Sequence, residues 1–163
     1  MKLIVGLGNP GKKYIKSRHS TGIMFVAELQ KAKKDVFTDF LIKKSDVFMN
    51  DSGSFVKKLV DQYKLNFSDL YIVHDDLDLK LGEYKIQFGV GPKDHNGVNS
   101  VEEKLGTKDF WRVRIGIDNR SLEDRTQGEH CVLEDFTDEE RKILDKVIVE
   151  VCKKLATSLK STN

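Results

Sequence analysis

Along this chain, short apolar runs alternate with stretches where apolar residues recur every three or four positions. The two rhythms predict different elements. Lys2–Leu7 (KLIVGL) is short and β-branched, which predicts a buried strand stopped by Gly8-Asn9-Pro10-Gly11. Asp69–Val73 predicts a second buried strand, while Leu81–Phe88 and Arg112–Ile117 alternate as strands do. Residues 35–49 read as extended. A helix is predicted over Thr21–Lys34, with Ile23, Phe25, Val26, Ala27, Leu29 and Ala32 covering most of one side. Another starts at a capping Asp51 or Ser52 and carries Phe55, Val56, Leu59, Val60 and Tyr63. A third begins near Asn96, aligns Val98, Val101 and Leu105, and closes at Gly106. Thr137 and Glu140 have capping-box spacing and open the clearest helix, striped by Ile143, Leu144, Val147, Ile148, Val151, Leu155 and Leu159. Residues 12–20 and 118–131 read as irregular. This alternation predicts one α/β domain over residues 1–163, a mixed twisted sheet flanked by helices on both faces.

Composition bounds the class of protein. Hydrophobic residues make up 39% and charged residues 33%, and no run approaches a membrane span. The N-terminal apolar run reads as a strand and not as a signal peptide. Cys131 and Cys152 define neither a disulfide framework nor a metal spacing, so a cytoplasmic location is expected. A net charge of +2 argues against a histone-like nucleic-acid binder until the chain is divided. Residues 1–60 hold 12 Lys and Arg against 5 Asp and Glu, or +7; residues 61–163 hold 16 against 21, or −5. A basic half can hold a polyanion locally while the whole stays near neutral.

Gly6-Leu-Gly8-Asn-Pro-Gly11 matches G-x-G-x-x-G after a strand, the pattern of a dinucleotide enzyme. That pattern needs a helix to start at once and aim its amides at a pyrophosphate. Here Pro10 removes an amide and KKYIKSRHS has no helical stripe, so a nicotinamide or flavin oxidoreductase is not the favoured reading. Position says more. Gly8–Gly11, Asn50–Gly53 and His74–Asp78 each follow a predicted strand, and parallel strands would gather them outside one sheet edge. Asn9, His19, Asn50, His74, Asp75, Asp76 and Asp78 would meet there, with His95 and Asn96 at a helix mouth. Histidines, carboxylates and amides without an activated Ser or Cys suit water activation by a His, its orientation by a carboxylate, and amide donors for an oxyanion. Clustered carboxylates in His74-Asp75-Asp76-Leu77-Asp78 also offer Mg²⁺ or Ca²⁺ ligands, though without EF-hand spacing.

Taken together, KLIVGLGNPGKKYIKSRHSTG, FMNDSG, IVHDDLDLKLG, HNGVNSVEEKLGTKDFWRVRIGI and the tail around Gly128–Leu133 resemble the bacterial-type peptidyl-tRNA hydrolase family, in order and over most of the chain. The resemblance implies hydrolysis of the ester joining a peptide to the terminal ribose of tRNA. It implies His19 as the general base for water and Asp75 as the group that holds and stabilises it. Asn9 would help recognise a peptide or blocked amino group. Tyr14, Phe48, Asn50 and Asn96 match positions that contact the aminoacyl-adenosine end, with Met49 and His95 lining the same cleft. Arg114 matches a phosphate-gripping position, with Lys85 and Arg112 nearby, and Lys12, Lys13, Lys16 and Arg18 flank the catalytic loop. No cofactor and no metal are implied. Peptidyl-tRNA is the expected partner of a monomer with no membrane association and no obligate protein partner.

Several positions depart from the family pattern. Ser20 stands where Asn usually follows the His, Asp94 where Gly usually precedes HNG, and Gln87 where a phosphate-contacting Lys is usual. Residues 31–47 are shorter than their counterparts. These changes bear on how substrate is held more than on the reaction. They also motivate an alternative, a non-catalytic RNA-binding relative of the same fold.

Overall fold

The computed structural model describes residues 1–32, 37–123 and 128–160. Its strands are β1 (Lys2–Gly6), β2 (Phe40–Lys44), β3 (Leu70–Lys80), β4 (Tyr84–Phe88) and β5 (Trp111–Asp118). Its helices are α1 (Thr21–Lys31), α2 (Ser52–Tyr63), α3 (Asn96–Leu105), α4 (Gly128–Leu133) and α5 (Asp138–Lys160). The strands form one mixed sheet in the order β2-β1-β3-β5-β4, parallel except for the antiparallel edge strand β4. No helix among the described residues is long and apolar enough to cross a membrane.

Strand alternation supplies two hydrophobic faces, as the sequence pattern predicts. Ile4, Val73, Val113 and Ile115 meet Phe25 and Leu29 of α1 and Leu144, Val147, Ile148 and Val151 of α5. On the other side Leu3, Val5, Leu70 and Ile72 meet Val56, Leu59 and Val60 of α2 and Val98 and Val101 of α3. Burial of such side chains is worth about 1.5–3 kcal/mol each before chain entropy is charged against it. The two layers hold the sheet rigid beneath its carboxyl edge.

One contact sets where α1 begins. A Cβ at Gly22 would fall on the Val73 carbonyl, and one at Gly6 would fall on the Gly22 carbonyl. Leu7 N–H donates to Val73 O at 2.9 Å, and Ile23 N–H donates to Leu7 O at 3.2 Å. Gly6 thus serves close helix–strand approach and Gly8 makes room for the Ile23 side chain, whereas Gly11 lies in open space and serves the turn with its φ of +99°. The start of α1 and the turn before it are drawn down onto β1 and β3.

Four expectations are revised. His74–Asp78 lies within a strand and not beyond its end: β3 runs eleven residues because β5 pairs with it from Tyr71–Trp111 to Asp76–Gly116, with a register shift before Lys80–Asp118. The polar segment stays extended because its neighbour satisfies the backbone. Part of the region expected to be irregular forms α4. Among the described residues of 35–49, only Phe40–Lys44 is strand. No side-chain cap opens α2; the tight turn Met49–Asp51 runs directly into it. The capping box stands as expected, with Thr137 N–H donating to Glu140 Oε1 at 2.9 Å and Glu140 N–H donating to Thr137 Oγ1 at 3.2 Å. Lys33, Lys34 and Asp35 lie outside the described residues, as does the side chain of Leu159.

Candidate active site

Four segments converge on the carboxyl edge of the sheet. The loop after β1 brings Asn9, the tight turn Arg18–Ser20 brings His19, β3 brings Asp75, and the mouth of α3 brings His95 and Asn96. Because α1 starts hard against β1 and β3, His19 is lowered over Asp75. Nδ1 of His19 lies 2.9 Å from Oδ2 and 3.0 Å from Oδ1 of Asp75, across 56 positions of sequence.

The tautomers follow from the partners. Asp75 is buried, and two imidazoles face it; a carboxylate only accepts, so His19 Nδ1 carries the proton. Nε2 of His19 is left as the basic atom. In His95 the order reverses: Nδ1 accepts from Gly97 N–H at 3.1 Å and Val98 N–H at 3.2 Å, capping α3. Its proton therefore sits on Nε2, which donates to Asp75 Oδ1 at 2.9 Å. His74 donates Nδ1–H to the Asp75 carbonyl at 2.7 Å, and its Nε2 is buried without a partner among the described residues. The His95 ring sits 5.0 Å from both His19 and His74, centroid to centroid.

Electrostatics match this wiring. Burial acts to depress the His19 imidazolium, but the Asp75 charge and hydrogen bond outweigh it and hold its pKa above the ordinary 6.5. Burial would raise Asp75, yet His19 and His95 together keep it well below the usual carboxylate range. Burial first, then His95 and Arg114, push His74 down to about 3, so it stays neutral.

One nitrogen of His19, one of His95 and an Asp75 oxygen lie within 4.8 Å of one another, close enough to share a divalent ion. A neutral imidazole ligating through Nε2 carries its proton on Nδ1. In His95 that atom accepts two backbone N–H groups, so ligation would strip the cap from α3. The donor set fits a held base better than a metal.

Two cavities of about 360 and 370 Å³ adjoin at His19, Asn96, Glu129 and Val132. The first runs past Asp75–Asp78 and Pro92–His95; the second is lined by Asn9, Phe48, Met49 and Asn50. Asn9 Oδ1 accepts from Met49 N–H at 2.8 Å, which turns its amide NH₂ to other use. Phe48 is 57% exposed and meets Tyr14 edge-on at 6.5 Å, making an aromatic rim. Met49 is buried in the core and forms floor. Asn50 and Asn96 are exposed at the cavity mouth.

The phosphate-binding trio is not brought together as expected. Arg112 is fully buried; its guanidinium donates to Glu102 Oε1 at 2.6 Å and to the carbonyls of Lys108 and Phe110. β5 alternation points it under α3, so it is no surface contact, and that expectation is corrected. Arg114 donates to Asp76 at 2.6 Å and to Gln87 at 2.7 Å, and is 7% exposed. Lys85, opposite Arg114 on β4, is exposed. The sequence assigns His95 only to the cleft lining and gives Glu140 and the α4 wall no part in the site. The signals the sequence holds for them are Arg18, directly beside His19, and the family-like tail around Gly128–Leu133.

Comparison with known proteins agrees with the geometry. The peptidyl-tRNA hydrolase family profile matches residues 3–163. The peptidyl-tRNA hydrolase of Pseudothermotoga lettingae is 39% identical, covering 91% of this chain and 84% of that protein. The one from Thermodesulfovibrio yellowstonii is 41% identical, covering 90% and 87%. A crystal structure of peptidyl-tRNA hydrolase from Acinetobacter baumannii superposes with a TM-score of 0.84 at 27% identity, covering 99% of this chain and 90% of that one. With a matched profile over nearly its whole length, a His–Asp pair in the cleft and this sheet order, the chain belongs to the peptidyl-tRNA hydrolase family.

Proposed function

We propose that this protein cleaves the ester between peptide and terminal ribose in peptidyl-tRNA, with His19 as general base. Nε2 of His19 takes a proton from water; the hydroxide equivalent adds to the ester carbonyl, and the ribose oxygen leaves with a proton. The products are a peptide carboxylate and free tRNA. The observation that carries this reading is the His19–Asp75 contact at 2.9 Å, with His19 lining both halves of the cleft. General-base catalysis of this kind contributes about 10²–10⁴ in rate.

Asn9 supplies a reason for sparing unblocked aminoacyl-tRNA. With Oδ1 engaged by Met49 N–H, it presents its NH₂, a donor that suits a peptide carbonyl. A free α-ammonium is itself only a donor and gains nothing from that NH₂. Asn50 and Asn96 add amides at the same cavity, and the Phe48–Tyr14 rim suits stacking of the terminal adenine. The protein acts alone on this substrate in the cytoplasm, as a monomer, without cofactor.

Incubation with N-acetyl-aminoacyl-tRNA should release free tRNA, while the unblocked ester persists. Activity retained in His19→Ala, or equal cleavage of both substrates, would refute the mechanism. Tight tRNA binding with no cleavage would favour the non-catalytic relative.

A further inference from the structure

Arg18 stands beside His19 but faces away from the cleft, and it is 4% exposed. Its Nη2 donates to both Glu140 oxygens, at 2.9 and 3.2 Å. Nη1 donates to Glu134 Oε2 at 3.1 Å and to the Cys131 carbonyl at 3.3 Å. The guanidinium lies over the Phe136 ring at 5.6 Å. The backbone repeats the tie: Arg18 N–H donates to Glu134 O at 3.0 Å, and Phe136 N–H donates to Lys16 O at 3.1 Å. Glu140 is the capping-box residue of α5 and also accepts from Asn119 Nδ2. Cys131 lies within α4, whose Glu129, Val132 and Leu133 line the cleft facing Asn9 and His19.

We propose that Arg18 is a positioning residue for the hydrolysis. It fixes the His19 turn against α4 and the start of α5, and so sets both the cleft width and the angle at which His19 meets Asp75. This rests on His19 being the base. A buried ion pair is weak as a source of stability, since apolar residues of similar volume often do as well. What the planar fork supplies here is direction, because its hydrogen bonds reach α4, the α4–α5 link and α5 together. Lysine would keep the charge and lose that geometry.

The test is Arg18→Lys and Glu140→Gln in the full chain, assayed on N-acetyl-aminoacyl-tRNA with fold checked by near-ultraviolet circular dichroism. Small misplacement of a reacting group costs up to about 100-fold. The folded variants should lose roughly 10- to 100-fold in kcat with KM within about threefold. The acid limb of kcat/KM should move down toward 6.5 as the Asp75 contact loosens. Glu134→Gln alters only the exposed partner, keeps the fold, and should show the same pattern at about two- to fivefold. Parental kcat and an unmoved acid limb in folded Glu134→Gln and in any folded Arg18→Lys would overturn the proposal. So would a kcat loss that merely tracks the unfolded fraction. Failure of the base assignment reads out separately, as an active His19→Ala or an inert parent.

Discussion

His95 Nε2 donates to Asp75 Oδ1 at 2.9 Å, the same oxygen that faces His19 Nδ1 at 3.0 Å. The two imidazoles thus compete for one carboxylate. The hydrogen bond from His95 lowers the proton affinity that Asp75 can lend to His19. The opposite ring nitrogen of His95 caps α3, which locks it as a donor.

His95→Asn separates these two tasks. Asn is a good N-cap, so α3 should start normally, but its side chain is too short to reach Asp75. Released from its second donor, Asp75 binds His19 more tightly and raises its pKa further. The acid limb of kcat/KM should shift upward by roughly half to one unit, with stability changed by less than about 1 kcal/mol. Profiles measured from pH 5.5 to 9 decide the matter. A limb that stays put or moves down would show that His95 does not restrain Asp75.

His74 should govern acid stability. Its folded pKa, about 3, lies below the ordinary 6.5, so the unfolded chain binds the extra proton. The stability it contributes is present above pH 6.5 and lost as pH falls from there toward 3. His19 has the opposite sign: its raised pKa gives stability present below 6.5 and lost as pH rises through the folded value. His74→Leu removes one hydrogen bond, at about 1 kcal/mol, and the buried unpartnered Nε2 with it. Between pH 7 and 5 the variant should lose about 2 kcal/mol less than the parent in urea unfolding. Equal losses would mean that His74 is not the titrating group.

What the sequence disclosed follows from how local each signal is. β1, α2, α3, β5 and the Thr137–Glu140 box are legible because each signal lies within a dozen residues, for α2 its apolar period alone. The His74–Asp78 segment reads as lying past its strand because four of its five residues are polar, and β3 continues through it only because β5 supplies backbone partners. α4 has six residues, too few for a period to show. Resemblance named His19 and Asp75 together, but the reason they meet is the Gly6–Gly22 contact, which no periodicity reveals. Arg18 drew notice as one more cation near the catalytic loop. Its acceptor Glu140 lies 122 positions on, and only packing shows that the charge is internal.

Gly22→Ala tests the contact that seats His19. The added methyl meets the Val73 carbonyl, backbone that cannot rotate away. Overpacking of this kind costs about 1–3 kcal/mol, and relief requires α1 to rise from the sheet. His19 rises with it. The folded variant should therefore lose roughly tenfold or more in kcat, and the His19 imidazole should titrate closer to 6.5 by NMR. A stability loss with unchanged kcat and His19 titration would show that the turn is held independently of α1.

The tRNA grip should distinguish Lys85 from Arg112, two cations that the sequence alone groups together. Lys85 is exposed on β4, whereas Arg112 is sealed between Phe110 and Glu102. Lys85→Ala should raise KM for the full tRNA substrate and reduce the slope of log affinity against log salt by about one, since one phosphate contact is lost. Arg112→Met should leave that slope unchanged and cost stability of about 3 kcal/mol, because Glu102 and two carbonyls lose their donor. Titrations of tRNA binding from about 50 to 200 mM salt, paired with denaturant unfolding, separate the two effects. A shallower salt slope in folded Arg112→Met would return Arg112 to the phosphate surface and require α3 to open in the complex, since its C-terminal turn carries Glu102 across that guanidinium.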